Sequence, residues 1–439
     1  MLANKSPLSM NLKGVYFGIL SNIFGSVLML GATLWLTRIL DPEEFGQFRV
    51  GSNFATLMIP LLALGGERLI SSIIQRESGD SLPVSRALVT MIFIVATGLF
   101  MLSVSYPLLS KFIFDGTIPA GIYYASIAII PLTIAYNVAN TIWRHTGDPA
   151  LAQIDLNFTQ RLTRAPLLIG CSFLWPGALA ASLAMTAAQA VSLFRIRRNI
   201  QHFSVSGIGS PLAAVRMNFR GMLAIGLPVA IMASVDRLDV LLVNAVMGVK
   251  SAGSYDLIFM LSVTAMFPAM ALSKTAEPFL YGMVRNPEKN KQLKSLQTRT
   301  FLLSCISVLA IAVIAPFLEV FLGNADSNFS EAALILSAGL AFSSAHGPAL
   351  EYLQINGKVR LTLSVVVSLM LLFFVLKYFV ASVYSLTGVA ALAGLFYFTL
   401  RLFLSIYIRL SENVSLAHPA TIFSSFLGYF VVALYIWAV

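Results

Sequence analysis

The sequence predicts an all-α polytopic membrane protein: two six-helix bundles related by a pseudo-two-fold axis along the membrane normal, plus an extra C-terminal helix. Three observations carry this. Hydrophobic residues make up 58% of the 439, and charged residues only 11%, about half the share of a soluble domain. Apolar stretches that reach the roughly 20 residues needed to cross the hydrocarbon core recur from Gly14 almost to Val439. Short motifs at the ends of these stretches recur six stretches later.

The first stretch, 14–37, is too long and too poorly terminated for a cleaved signal and is read as a span. Spans at 50–72, 86–109 and 118–140 follow. The fifth and sixth, 159–175 and 177–195, are divided only by the turn sequence Trp175-Pro176-Gly177. The connection from about Arg195 to Arg220 is the longest and has room for no more than a short surface helix. The second six are 220–246, 251–273, 300–322, 331–353, 360–380 and 385–408. A last apolar stretch, 419–437, has few polar groups and reads as peripheral. The expected domains are therefore 1–198, a cytoplasmic linker 199–219, a second bundle 220–410 and an additional membrane helix 411–439.

The net charge of +10 reads as a membrane bias, not as a nucleic-acid surface. With the N-terminus placed in the cytoplasm, twenty of the 29 basic residues fall at cytoplasmic helix ends, among them Arg161, Arg164, Arg197 and Lys291. Five fall on the opposite side: Arg38, Arg49, Lys111, Lys250 and Lys377. The remaining four, Arg68, Arg237, Lys274 and Arg401, lie within or near helices. No Walker loop is present and no connection has room for a nucleotide-binding domain. Cys171, Cys305 and four scattered histidines give no metal spacing. No metal, cofactor or nucleic-acid partner is expected. No long loop holds clustered carboxylates and histidines, which argues against an enzyme.

The internal echo is specific in register. Gly46 and Phe48 after the first span match Gly253 and Tyr255 after the seventh, at an offset of 207. Thr146-Gly147-Asp148 answers Asn356-Gly357-Lys358 at an offset of 210. An even number of crossings between copies means parallel repeats.

Leu36-Thr37-Arg38-Ile39-Leu40-Asp41-Pro42-Glu43-Glu44-Phe45-Gly46 resembles the signature after the first helix of the polysaccharide transporter family. These are the Wzx-like flippases of the multidrug/oligosaccharidyl-lipid/polysaccharide exporter superfamily. Leu62-Ala63-Leu64-Gly65-Gly66, Gly226-Leu227-Pro228, Asp236-Arg237 and Gly253-Ser254-Tyr255 are similar to its later motifs. The resemblance implies a flippase in the bacterial inner membrane, with a cytoplasmic N-terminus. Its cargo would be an undecaprenyl-pyrophosphate-linked glycan for O-antigen, capsule or exopolysaccharide, moved outward by alternating access. It also implies a polysaccharide polymerase and co-polymerase as neighbours. The alternative is a multidrug or metabolite exporter of the same superfamily coupled to H+ or Na+.

Candidate cavity residues are the ionisable groups that spans tolerate only in pairs or in water. Arg68 follows Gly65-Gly66 and Glu67. It either snorkels to lipid phosphate or meets the pyrophosphate. Asp236, Arg237 and Asp239 follow Pro228, whose missing N–H permits a bend. Asp236 and Asp239 lie about 60 degrees apart on a helix, so they can share one wet face, with Arg237 about 100 degrees from Asp236. The competing reading is a structural salt link. Lys274, a turn from Glu277, and Arg401 complete the cationic set. Asn137, Asn140, Asn244 and Tyr255 are weaker candidates for sugar contact. Gly46 and Gly253 mark equivalent outer ends that a gate would separate.

Overall fold

The computed structural model describes residues 12–76, 82–146, 149–200, 211–270, 287–322, 328–383, 385–412, 414–416 and 418–438. Lys274 and Glu277 lie outside this set, as do the side chains of Pro228 and Asp236. Helices dominate, and the described residues contain no strand.

The first helix, α1, is Leu12–Ile39. The second begins well before the expected span, as α2 at Pro42–Ala63. Its start is built by local chemistry. Asp41 is extended, and Pro42 stands where a helix needs no N–H. Glu43 and Glu44 then face the positive end of the helix dipole. The helix stops where Leu64 and Gly65 take left-handed φ values of 42° and 68°. Then α3, Gly66–Arg76, carries the chain onward. Gly46, Phe48 and Arg49 thus sit inside a helix rather than after one.

The rest of the first half is α4 (Leu82–Phe112), α5 (Ala120–Ile127), α6 (Ile129–Thr146), α7 (Pro149–Ile154), α8 (Gln160–Leu174) and α9 (Ala178–Ile196). A π-helical turn at Asp155–Thr159 joins α7 to α8. The fifth span therefore starts earlier than its apolar run. The polar residues that hid it, Asp155, Asn157 and Gln160, are all buried.

The second half opens with α10, Pro211–Met247. Its 37 residues make it about 55 Å long, so part of the expected linker is helix. It is followed by α11 (Val249–Ser262), α12 (Pro287–Leu322), α13 (Phe329–Ser343) and α14 (Ala349–Ile355). Then come α15 (Val359–Val383), α16 (Leu386–Glu412) and α17 (Pro419–Ala438).

Among the described residues, eight helical segments are long and apolar enough to cross a membrane. α2 falls short because Gln47, Arg49 and Asn53 interrupt its apolar run, and α8 and α13 are only 15 residues each. Large apolar side chains on α4 and α12 are left bare, for example Phe100, Val104, Leu309 and Val320. Patches of this size are unstable in water and suit lipid. The protein is a multi-pass membrane protein.

The two halves meet along α2. It packs on α10 and α11, and α10 also touches α3 and α4. Near the far end, Arg38 of α1 donates to the Phe321 carbonyl of α12 and lies 4.1 Å from the Phe321 ring centroid.

Candidate functional site: a charged seam between the halves

Close backbone approach sets the seam. A Cβ on Gly46 would overlap the Val249 carbonyl, and one on Gly253 would lie 3.1 Å from the Gly46 Cα. At the other end of α2, a Cβ on Gly226 would overlap the Leu64 carbonyl. Glycine at these positions lets α2 lie directly against α11 and α10.

That proximity brings Arg49 of α2 onto Asp256 of α11. Both Nε and Nη2 of Arg49 reach Asp256 Oδ2. Asn53, one turn further along α2, donates its amide to Asp256 Oδ1 at 2.8 Å. Its carbonyl accepts from Arg237 Nη1 of α10 at 2.7 Å. Arg237 Nη1 also lies 3.9 Å from Asp256 Oδ1. Asp256 is fully buried, whereas the Arg237 side chain keeps 28% of its surface exposed. Two guanidiniums and one carboxylate leave this cluster net positive, with Arg237 as its open edge.

Asp239 departs from the expected wet face. Both of its oxygens lie 2.7 Å from Lys377 Nζ of α15. The pair is almost fully buried, with Phe373, Phe396 and Met370 around it. Tyr255, expected on a sugar-binding surface, is buried and donates to Asp239 Oδ2 at 3.3 Å. Helix geometry explains the split: Arg237 and Asp239 are about 160 degrees apart, so one faces α2 and the other faces α15. Asp239 is thus a structural partner, not part of an open cavity.

Asn140 is likewise internal. It is buried and donates to the Ala152 carbonyl at 2.8 Å, tying α6 to α7. Asn244 is buried with both amide atoms unpartnered. Asn137 is half-buried beside Glu67, with Arg68 and Arg144 near the same carboxyl. Arg68 is exposed on α3, a separate helix from those that form the Arg49 cluster. Arg401 is half-buried, 3.4 Å from the Gly347 carbonyl where the tenth span breaks.

Four charges expected at helix ends are internal. Arg49 and Lys377 are buried ion-pair partners. Arg161 reaches the Asn22 carbonyl of α1 at 3.1 Å, and Arg164 faces Gln189 of α9. Without them the split of end charges becomes eighteen to three in place of twenty to five, so the asymmetry sharpens. Arg49 and Asp256 were within reach of the sequence: they extend the offset-207 echo by one residue beyond Phe48 and Tyr255. Lys377 and Asn53 had no such signal.

No protein-family model matches the sequence, and no curated protein matches it. Solved structures do. The MATE multidrug transporter DinF-BH aligns over 96% of this chain and 99% of its own, with 16% identity and a TM-score of 0.68. The lipid II flippase MurJ, in an inward closed conformation, aligns over 94% of this chain and 92% of its own, with 14% identity and a TM-score of 0.67. A MOP-superfamily transporter from Pyrococcus furiosus, described by a binding pocket of reverse polarity, aligns over 91% and 96% with 14% identity and a TM-score of 0.61. The chain has the fold of the MOP superfamily.

Proposed function

We propose that this protein is a MOP-type flippase that moves a lipid-linked glycan with an anionic phosphate headgroup across the bacterial inner membrane. An undecaprenyl-pyrophosphate-linked oligosaccharide fits best, passed from the cytoplasmic to the outer face for surface polysaccharide synthesis. One observation carries the reading: the polar interior is cationic. Each buried aspartate described already has a cation, Asp155 with Arg195, Asp239 with Lys377 and Asp256 with Arg49. Arg237 is left over at the seam, half-exposed and beside a carboxylate that Arg49 already neutralises. Positive charge at the edge of a wet cleft suits phosphate oxygens, which a guanidinium grips with paired N–H groups.

The mechanism follows from the seam. The prenyl tail stays in lipid, where its transfer costs nothing. The headgroup passes between the halves as α2 parts from α10 and α11. Opening at the Gly46–Gly253 end exposes Arg49, Asn53 and Asp256 together, and Arg237 stands beside them. The N-terminus lies in the cytoplasm in this scheme. Polymerase and co-polymerase receive the glycan at the outer face.

The test is reconstitution of the full chain in liposomes containing undecaprenyl-pyrophosphate disaccharide. The expected result is protein-dependent flipping that falls at least about tenfold in Arg237→Ala, the loss of one charge-assisted contact, with partial return in Arg237→Lys. Wild-type flipping by Arg237→Ala removes that residue from the mechanism. Cation-gradient-driven efflux of a dye, with no movement of the glycan lipid, establishes the exporter reading instead.

A further inference from the structure

A second polar chamber lies away from the seam, inside the first half, between α2, α5, α6, α8 and α9. Its cavity is about 120 Å³ and is lined by Arg164 and by hydroxyl side chains, including Ser52, Thr56, Ser126, Thr133 and Ser182. Arg164 Nη2 donates to Gln189 Oε1, which also accepts from Gln160 Nε2 at 2.9 Å. That contact satisfies one nitrogen and neutralises nothing. Arg164 Nε is buried without a partner, and so are Ser126 Oγ and Thr133 Oγ1. Ser126 itself is only 4% exposed. No carboxylate pairs with Arg164 among the described residues. The nearest described aspartate along the chain, Asp155, is held by Arg195 at 2.6 Å and by the Tyr136 hydroxyl at 2.6 Å.

Arg164 is half-buried with its Nε enclosed, and a guanidinium drawn out of water without a counter-charge is costly in a medium of low dielectric. A buried hydroxyl with no partner adds to that cost. All three unpartnered groups can donate, and all three line one cavity. We infer that this chamber is a binding site for a small monovalent anion of the halide class, held by Arg164 and by the hydroxyls of Ser126 and Thr133. One fixed positive charge matches one negative charge. A cation is repelled by Arg164. The space suits a monatomic ion with a few waters and is too small for a glycan headgroup. The site is separate from Arg237, so its occupancy does not depend on what the seam carries.

The test uses the full-length protein, purified in detergent in a chloride-free gluconate buffer. Titrating sodium bromide should raise the melting temperature to a plateau, with no rise for added sodium gluconate. Crystals grown in bromide should show an anomalous peak between Arg164 and Ser126. Arg164→Gln should abolish the plateau. Ser126→Ala combined with Thr133→Val keeps the charge and should weaken binding about tenfold. An equal response to gluconate, no anomalous peak in the chamber, or an unchanged bromide response in Arg164→Gln would overturn the site. If Arg164→Gln does not fold, the anomalous map of the unaltered protein and the hydroxyl double variant decide. Binding of inorganic pyrophosphate without binding of bromide also overturns it.

Discussion

Arg49–Asp256 and Lys377–Asp239 are both buried ion pairs on opposite sides of α10, and they differ in what they join. The first links α2 to α11, across the seam between the halves, and its neighbours are Asn53 and the half-exposed Arg237. The second links α10 to α15 within the second half, walled by Phe373 and Phe396. Separating the first, as the proposed opening requires, would leave both charges beside Asn53 and the half-exposed Arg237. Separating the second strands both in an apolar wall. Desolvation opposes either pair, but only the seam pair has somewhere to go. We read the first as a latch and the second as a brace, and four measurements test that division.

The brace should show the largest loss of stability. Lys377→Met leaves Asp239 buried with only the Tyr255 hydroxyl and no counter-charge, at a cost of about 3–5 kcal/mol, visible as a large fall in melting temperature in detergent. Lys377→Met with Asp239→Leu should recover most of it, since apolar replacement of both partners removes the buried charge. Wild-type melting by the single variant would dissolve the distinction.

The latch should respond more in conformation than in stability. Asp256→Asn keeps a polar group for Asn53 but removes the charge facing Arg49, and should cost about 1–3 kcal/mol. A cysteine at Glu44 should then label faster with an impermeant thiol reagent. The exchange Arg49→Asp with Asp256→Arg should restore slow labelling. Rates that do not change would show that the pair does not hold the seam closed.

Gly46→Leu tests the same closure by volume. The added side chain cannot fit against the Val249 carbonyl without moving α2, so the seam should open with a loss of about 1–3 kcal/mol. A crosslink between cysteines at Glu44 and Ser251 should form readily in the parent and poorly in this variant. Equal crosslinking would place the closing contact elsewhere.

The smallest effect belongs to a more exposed pair at the helix ends. Lys358 Nζ lies 2.6 Å from Glu412 Oε1 and is a third exposed. Lys358→Ala should change stability by less than about 1 kcal/mol. The hydrogen bond to Glu412 raises the Lys358 ammonium above its ordinary value. A raised cation contributes fully below the unfolded pKa and is lost as pH rises through the folded one. Its contribution therefore holds through neutral pH and fails in strong alkali, or in acid once Glu412 is protonated. A stability change between pH 6 and 8 that Lys358→Ala abolishes would contradict this.

Most of the helical framework is legible in the sequence because lipid demands long apolar runs and tolerates no unpaired backbone. The errors fall where a helix carries polar residues into the interior. The start of α2 reads as loop because Glu43, Glu44 and Arg49 break its apolar run. The start of the fifth span is hidden because Asp155 and Asn157 are polar, and the burial of Asp155 depends on Tyr136 and Arg195, which are distant in sequence. Arg237 stands out by its cost in a span and lies at the seam. Asp239, two residues on, has a different neighbour from the one local spacing suggests. Its partner Lys377 is 138 residues away and has no local signature. Arg164 looks like an end charge in Gln160-Arg161-Leu162-Thr163-Arg164, and only packing shows that it lines an internal cavity.

The latch joins positions 207 residues apart, and that is also the spacing of the repeat. A two-fold axis sets a position on it against its own copy. In a dimer of two identical half-length chains, that place would hold arginine against arginine or aspartate against aspartate. An Arg–Asp link there requires the two positions to differ, which one continuous chain allows and a homodimer does not. The link makes the two segments complementary: a second arginine in place of Asp256 would set like charges against each other where Arg49 now meets a carboxylate.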